Sequence, residues 1–143
     1  MKKLDGTPYS YPGTEYKNPT ISSDSGFIII GNLEVMTEDL AEMNWSDAMK
    51  NCADPRYLDS HMGNGWRLPT KDELNILYEN QEKIGGFGFN YYWSSTESDT
   101  MQNPDDPFGP PLSIDNSAWS QGLTSGFQKV RNMDEVHSVR AVR

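Results

Sequence analysis

The sequence predicts one α+β domain, in which two helices pack on a small, mostly antiparallel twisted sheet with long loops. Three observations carry this prediction: a capped helix follows a Gly-Trp-Arg-Leu-Pro turn, a shorter amphipathic helix precedes it, and short apolar runs flank both. A chain of 143 residues is long enough to bury one hydrophobic core of its own.

The longer helix is predicted over residues 70–81. Pro69 fixes its own φ and biases Leu68 toward an extended backbone, so the helix begins only after this turn. Thr70 is a suitable N-cap, and Glu73 three residues later completes a capping box. The buried stripe of this helix is predicted to be Leu74, Ile76 and Leu77.

The first helix is predicted over residues 44–53, with Asn44 as its N-cap. Cys52 is the only cysteine, so the chain cannot form an internal disulfide. Helical spacing places Cys52 on the buried face, where a free cysteine behaves as a small hydrophobe. The predicted buried face comprises Trp45, Ala48, Met49 and Cys52.

Short strands are predicted on both sides of the helices. Residues 27–30 form an apolar run typical of a buried strand, and Gly31-Asn32 suits a tight turn to a partner strand at 33–36. Residues 98–117 include four prolines within 103–111 and are predicted to be a long loop. The last three strands are predicted at 118–122, 126–130 and 136–142.

The N-terminal segment, residues 1–25, is predicted to be an extended arm or linker, and residues 26–143 to be the folded domain. The arm contains three prolines and has no helical or strand period. Tyr9, Tyr11 and Tyr16 either contact a carrier protein or lie across the domain, and the sequence leaves both open. No apolar signal-peptide core and no run of membrane-spanning length is evident.

The charge distribution restricts the classes of partner. The formal net charge is −9, from 12 basic and 21 acidic residues, so a nucleic acid is not expected as a partner. Residues 1–114 carry 18 acidic and 8 basic residues, whereas residues 115–143 carry 3 acidic and 4 basic residues. We therefore expect the C-terminal quarter to face an acidic or neutral partner.

The chemistry-bearing residues do not form a recognisable catalytic pattern. His61 and His137 are the only histidines and are far apart in the sequence, so neither belongs to a paired His or Cys zinc motif. The run Ser94-Ser95-Thr96 lacks the flanking glycines of a nucleophile elbow. We therefore expect no enzyme activity, no metal and no cofactor. Arg67, Arg140 and Arg143 are expected to be structural, as partners of Asp or Glu.

Several short motifs occur in order along the chain: GWRLPT at 65–70, YWSST at 92–96, Ala-Trp at 118–119 and VRAVR at 139–143. Over residues 26–143 this series resembles the DUF1566 or Lcl C-terminal type domain, akin to the Fibrobacter major paralogous domain. The resemblance implies a C-type lectin-like fold, similar to the formylglycine-generating enzyme core and to the variable receptor-binding proteins of diversity-generating retroelements. It also implies that Trp66, Trp93 and Trp119 are core residues.

Calcium-dependent sugar binding is a further function to weigh for a lectin-like fold. Oxygen ligands suited to calcium cluster around the proline-rich loop. The resemblance, however, places the strand ligand of the lectins at Trp119-Ser120-Gln121, which carries no carboxylate. A solvated acidic loop is therefore the favoured interpretation. The acidic and amide residues concerned are Asp99, Asn103, Asp105, Asp106 and Asp115.

The resemblance also locates the binding residues, because the retroelement-diversified relatives vary the segment just upstream of the terminal strand. That segment mixes polar residues with Leu, Phe and Met, a composition that suits an adaptable recognition surface. Ordinary polar hairpins without a ligand remain an equal alternative. The candidate ligand-binding residues are Ser120, Leu123, Thr124, Phe127, Lys129, Arg131 and Asn132.

The predicted function is a non-enzymatic recognition module that displays a binding face on a virion or a cell-surface assembly. Expected partners are a protein or glycan on a cell surface and a carrier held through residues 1–25, with a homo-oligomer left open. The chain would be cytoplasmic before assembly. The alternatives are a structural decoration or fibre component of a phage particle and a formylglycine-generating type of enzyme. The last is disfavoured because those relatives use a cysteine pair.

Overall fold

The computed structural model describes residues 26–54 and 63–143, so the predicted arm at 1–25 and His61 lie outside the described residues. Three helices and seven strands follow one another in these two ranges. In chain order they are β1 (Phe27–Ile30), β2 (Leu33–Met36), β3 (Leu40–Met43), α1 (Trp45–Cys52), α2 (Lys71–Glu79), α3 (Gln81–Ile84), β4 (Tyr91–Met101), β5 (Leu112–Gly122), β6 (Gln128–Asn132) and β7 (His137–Val139).

The strands form two sheets. Strands β1 and β2 make an antiparallel pair, and the larger sheet has the order β3-β7-β4-β5-β6. Its strands are antiparallel neighbours except for β4 and β7, which are parallel. Near the C-terminus, Val142 bridges both to Val35 of β2 and to Arg67 before α2. The α+β prediction with a mostly antiparallel sheet is confirmed.

The start of α2 follows the predicted local chemistry. The Thr70 side chain accepts a hydrogen bond from the Glu73 N–H at 3.2 Å, and Glu73 Oε1 accepts one from the Thr70 N–H at 2.9 Å. Thr96 on β4 also caps this helix end from a distant strand, because its Oγ1 accepts a hydrogen bond from the Lys71 N–H at 2.9 Å. The buried stripe is narrower than predicted: Leu74 and Leu77 are buried, whereas Ile76 is exposed. Two residues correspond to about 200° of rotation, which places Ile76 opposite Leu74.

The first helix is also capped as predicted, since Asn44 Oδ1 accepts the Asp47 N–H at 2.9 Å. Its buried face is again narrower: Ala48 and Cys52 are buried, but Trp45 is only half-buried and Met49 is exposed. A helix of eight residues presents only two turns to the sheet, so one thin stripe is covered. Burial raises the pKa of the Cys52 thiol to about 12, in keeping with its predicted role as a small hydrophobe.

The larger sheet carries a hydrophobic cluster on each face. Trp93 belongs to the cluster beneath α1 and its neighbour Tyr92 to the cluster beneath α2, because successive strand side chains point to opposite faces. Trp66 and Trp93 are buried as predicted. The prediction for Trp119 is wrong in part, since its indole is only half-buried.

Several strand predictions need correction. In β1, Ile29 is 63% exposed, because a two-stranded sheet that packs on the domain has one face in solvent. The predicted loop at 98–117 is largely strand: β4 and β5 are 11 residues each and pair out to Met101 and Leu112. The only apolar alternation in this segment is the short Leu112 and Ile114 pair, and the four nearby prolines favoured a loop. Strand β6 begins at Gln128, and β7 is only three residues long.

The three arginines of the shared motifs pair with acids, as predicted. Arg67 Nη1 lies 2.6 Å from Glu73 Oε1, and Arg143 Nε lies 2.5 Å from Glu34 Oε1. The fully buried Arg140 donates through Nε to Asp39 Oδ1 at 2.8 Å and through Nη1 to the carbonyl of Met36 at 2.9 Å. The contacts of Arg140 and Arg143 join β2 and the segment after it to the residues that follow β7. Within the described ranges, no helix is both long and apolar enough to cross a membrane.

Candidate recognition surfaces

Two of the predicted ligand-binding residues are inside the protein. Ser120 is buried and its Oγ donates to the Lys129 carbonyl at 2.9 Å, which couples β5 to β6. Leu123 is buried in the cluster beneath α2. A ligand at the surface cannot reach either side chain, so Ser120 and Leu123 are not ligand-binding candidates. Thr124, Phe127, Lys129 and Asn132 are exposed, and Arg131 is half-buried.

The register of β5 and β6 places Lys129 and Arg131 on one face of the sheet and Asn132, with Val130, on the other. Lys129 pairs with Ser120 and Arg131 with Ala118, whereas Val130 pairs with Trp119. Paired and alternating positions share a face of the sheet. Lys129 and Arg131 therefore lie on the α1 side, and Val130 lies with Trp119 on the α2 side. The predicted binding residues of β6 therefore lie on two opposite faces of the sheet and do not form one binding face.

On the α1 side, two cations surround one aromatic ring. The Arg131 Cζ atom lies 4.5 Å and the Lys129 Nζ atom 5.7 Å from the centroid of the Tyr91 ring. The Tyr91 ring lies over Gly122, where a Cβ would be in ordinary van der Waals contact with it at 3.5 Å from Cζ. We call Tyr91, Lys129 and Arg131 the cationic cluster.

On the α2 side, a groove of about 530 Å³ lies between the proline-rich end of the β4–β5 hairpin and the surface of β5 and β6. Trp119, Gln128, Lys129 and Val130 line the strand side of this groove. Met101, Gln102 and Pro111 line the hairpin side. The groove therefore combines an aromatic ring and apolar side chains with two amides.

The strand side of the groove is held in place by α2. The Lys71 Nζ atom lies 3.7 Å from the centroid of the Trp119 ring, and Gln128 Nε2 donates to the Lys71 carbonyl at 3.3 Å. Gln128 Nε2 also contacts Gln121 Oε1 at 3.3 Å, and Gln121 donates to Asn75 Oδ1 at 2.9 Å. These bonds restrict the rotamers of Trp119 and Gln128, so this part of the groove is formed before a ligand arrives.

The nucleophile-bearing residues serve structural roles. Ser94 Oγ donates to the Trp119 carbonyl at 2.7 Å, and Thr96 Oγ1 accepts the N–H that begins α2. The His137 ring packs edge-on against Trp93, with 4.9 Å between the ring centroids. The Nε2 atom of His137 lies 2.8 Å from Glu135 Oε1. In residues 26–54 and 63–143, no group of three or more His, Cys, Asp or Glu side chains is placed to hold a metal ion.

Calcium and chelators are expected to leave the melting temperature of the protein unchanged. The acidic residues of the hairpin are spread along it, and Asn103 Oδ1 already accepts the Asp105 N–H at 2.9 Å. Thermal unfolding with calcium and with a chelator measures this directly. An increase of several degrees with calcium alone would identify the hairpin as a metal site and restore calcium-dependent sugar binding as a function.

Sequence reasoning missed most of the groove. The sequence predicts Met101 in a loop and Trp119 in the core, whereas Met101 ends β4 and Trp119 is half-buried. Pro111 lies in the connection between β4 and β5, as predicted. The one available signal was the alternation of Gln128, Lys129 and Val130, which indicates a strand with two unlike faces. The position of the hairpin over one of those faces depends on register shifts in β4–β5 and on Asn116, whose φ is 53°.

The helices and the mostly antiparallel sheet form a C-type lectin-like fold, as the motif resemblance implied. The chain belongs to the family of the Lcl C-terminal domain, whose model matches residues 22–143. The sequence matches no curated protein.

Solved structures of similar fold include three lectin-like proteins. Botrocetin has 9% sequence identity, a TM-score of 0.50 and coverage of 82% of this chain and 95% of its own. The snake venom toxin convulxin has 12% identity, a TM-score of 0.51 and coverage of 83% and 95%. EMS16, an antagonist of the collagen receptor integrin α2β1, has 12% identity, a TM-score of 0.50 and coverage of 82% and 95%. At these identities the likeness concerns the fold alone.

Proposed function

We propose that this chain is a non-enzymatic recognition module that binds a partner on a cell surface. The groove beside Trp119 is the observation that carries the proposal. Its volume of about 530 Å³ lies within the range of ligand pockets, roughly 300–1,000 Å³. A half-buried indole with fixed amides beside it suits binding, because an ordered surface loses little conformational entropy when a partner docks.

The partner is a protein or a glycan. A protein partner has support from the fold, because EMS16, which shares it, is an antagonist of a receptor protein. The exposed Phe127, at 66% of its surface, and the cationic cluster would extend the contact around the edge of β6. Residues 1–25 would attach the module to a carrier on a virion or cell-surface assembly, and the motif resemblance supports that setting.

The proposal is tested with a groove variant that combines Met101→Ala and Gln128→Ala. The wild-type chain is first screened against immobilised cell-surface glycans and receptor ectodomains to identify ligands. The variant is expected to bind those ligands about tenfold more weakly, which corresponds to about 1.4 kcal/mol, because it removes an apolar and an amide contact together. Surface plasmon resonance measures the change.

Ile76→Ala is the matched control, because Ile76 is as exposed as Met101 but lies on α2 outside the groove lining. It should leave the affinity unchanged. Equal affinities for wild type, groove variant and control would show that the groove does not contact the ligand. A screen without any ligand would favour the alternative of a structural decoration protein.

A further inference from the structure

We propose that the cationic cluster binds an anionic group of the partner, namely a carboxylate, a sulfate ester or a phosphate ester. This inference deepens the proposed function, because it names the chemistry that the partner presents beside the groove, where Lys129 belongs both to the cluster and to the groove lining. The cluster consists of the guanidinium and the ammonium of two residues on the edge strand β6 and the phenol ring of Tyr91 on β4.

The first argument is that the cluster lacks acidic partners. Arg67, Arg140 and Arg143 all lie within ion-pair distance of a carboxylate. In the described part of the chain, neither Lys129 nor Arg131 forms such a pair. Glu97 is the acid in the same cross-strand row, but it is two strands away from Arg131, or about 10 Å. Two unpaired cations in a chain of net charge −9 therefore stand together at one place.

The second argument is an unsatisfied donor. Arg131 Nε is buried and makes no hydrogen bond within the described residues. A buried donor without an acceptor is destabilising, so an acceptor that reaches the side of this guanidinium gains more than one at a solvated site. A small rotamer change would let Nε and one Nη donate side by side to two oxygens of a single anion.

The third argument is that Arg131 and Lys129 are already positioned before an anion binds. The guanidinium of Arg131 stacks against Tyr91, whose ring occupies the space above Gly122. Lys129 is two residues from Arg131 on the same face of β6, which places their Cα atoms about 7 Å apart. That spacing allows one carboxylate, sulfate or phosphate to contact both cations. The flat fork of arginine suits the planar or tetrahedral oxygens of such groups.

Titration with inorganic phosphate and sulfate, followed by heteronuclear NMR of the arginine Nε–H signals, tests the inference. The Arg131 signal is expected to move and to saturate, because its Nε gains an acceptor. The Arg140 signal should stay in place, because its Nε already donates to Asp39 at 2.8 Å. Raising the sodium chloride concentration should weaken the binding, since exposed charges are screened by salt.

Three variants give the expected changes in affinity. Arg131→Lys keeps the charge but loses the fork and should weaken phosphate binding about fivefold, and Lys129→Ala should do the same by removing one charge. Lys83→Ala, an exposed lysine on α3, removes the same charge elsewhere and should leave the affinity unchanged. The affinity of each variant is measured from backbone amide shifts, since Arg131→Lys removes the arginine signal. Shifts that do not saturate, or an affinity unchanged by both cluster variants, would mean an adventitious ion only and would overturn the inference.

Organic probes then distinguish the source of the anionic group. N-acetylneuraminic acid offers a carboxylate, a sulfated monosaccharide a sulfate ester and glycerol phosphate a phosphate ester, with uncharged lactose as the blank. The probe that binds most tightly, and whose binding is weakened by Arg131→Lys, identifies the anionic group that the cluster recognises. The groove variant Met101→Ala with Gln128→Ala should bind the same probe normally. If all three probes bind no better than lactose, the inference is wrong, whereas the groove proposal is unaffected.

Discussion

Replacing Trp93 by Ala is expected to lower the free energy of unfolding by about 3–5 kcal/mol, the range found when a large aromatic is removed from a packed core. Trp93 is fully buried at the centre of the larger sheet. Its indole N–H donates to the Met43 carbonyl at 3.0 Å, and the His137 ring packs against it. The substitution would leave a cavity and an unpaired carbonyl beneath α1. Urea denaturation followed by circular dichroism measures the loss.

Phe89→Ala is the control for Trp93→Ala, because Phe89 is an aromatic residue with 88% of its surface exposed. Its removal should change stability by about 0.5 kcal/mol or less. If Trp93→Ala fails to fold, the milder Trp93→Phe should still unfold cooperatively with an intermediate loss. Similar stabilities for Trp93→Ala and Phe89→Ala would contradict the central role of this indole.

Asp39→Ala is expected to destabilise the protein by about 3 kcal/mol, since it leaves the buried Arg140 guanidinium without a counter-ion. Asp39 Oδ1 accepts from Arg140 Nε at 2.8 Å, and Oδ2 accepts from the Tyr92 hydroxyl at 2.6 Å. Arg140 would keep its bonds to the carbonyls of Met36 and Gly85, but these carry no charge to offset its own. Asp39 itself is partly exposed, so we place the expected loss at the lower end for a buried pair.

Glu73→Gln provides the matched comparison, because it removes the acid of the exposed pair with Arg67. Gln still satisfies a capping box, so only the ionic contact is lost. The expected cost is about 1 kcal/mol or less, as for other solvated ion pairs. Thermal and urea denaturation of both variants, under one set of conditions, would show whether the buried ion pair contributes more to stability than the exposed one. Equal losses would mean that Arg140 is not held mainly by Asp39.

Hydrogen bonds between close neighbours could be predicted from the sequence. The cap at Asn44, the capping box of Thr70 and Glu73, and the turn at Gly31 all depend on residues within four positions of one another. Their geometry follows from backbone stereochemistry and from side chains that reach the nearest free N–H. The burial of Trp66 and Trp93 could also be predicted, but from the resemblance of their motifs to those of a family with a common core.

The recognition surfaces depended on tertiary structure. Ser120 and Leu123 look like surface residues of a polar hairpin, yet the pairing of β5 with β6 and the position of α2 bury them. Trp119 looks like a core residue, yet the edge of α2 covers its ring only in part, with Lys71.

The sequence by itself determined the helix starts, the tight turn and most of the core. Only the tertiary structure decided which sides of β6 meet a groove or a cationic cluster, because exposure depends on strand register and on distant elements. Met101 and Trp119, or Tyr91 and Arg131, are far apart in the chain and become neighbours only when the sheet assembles.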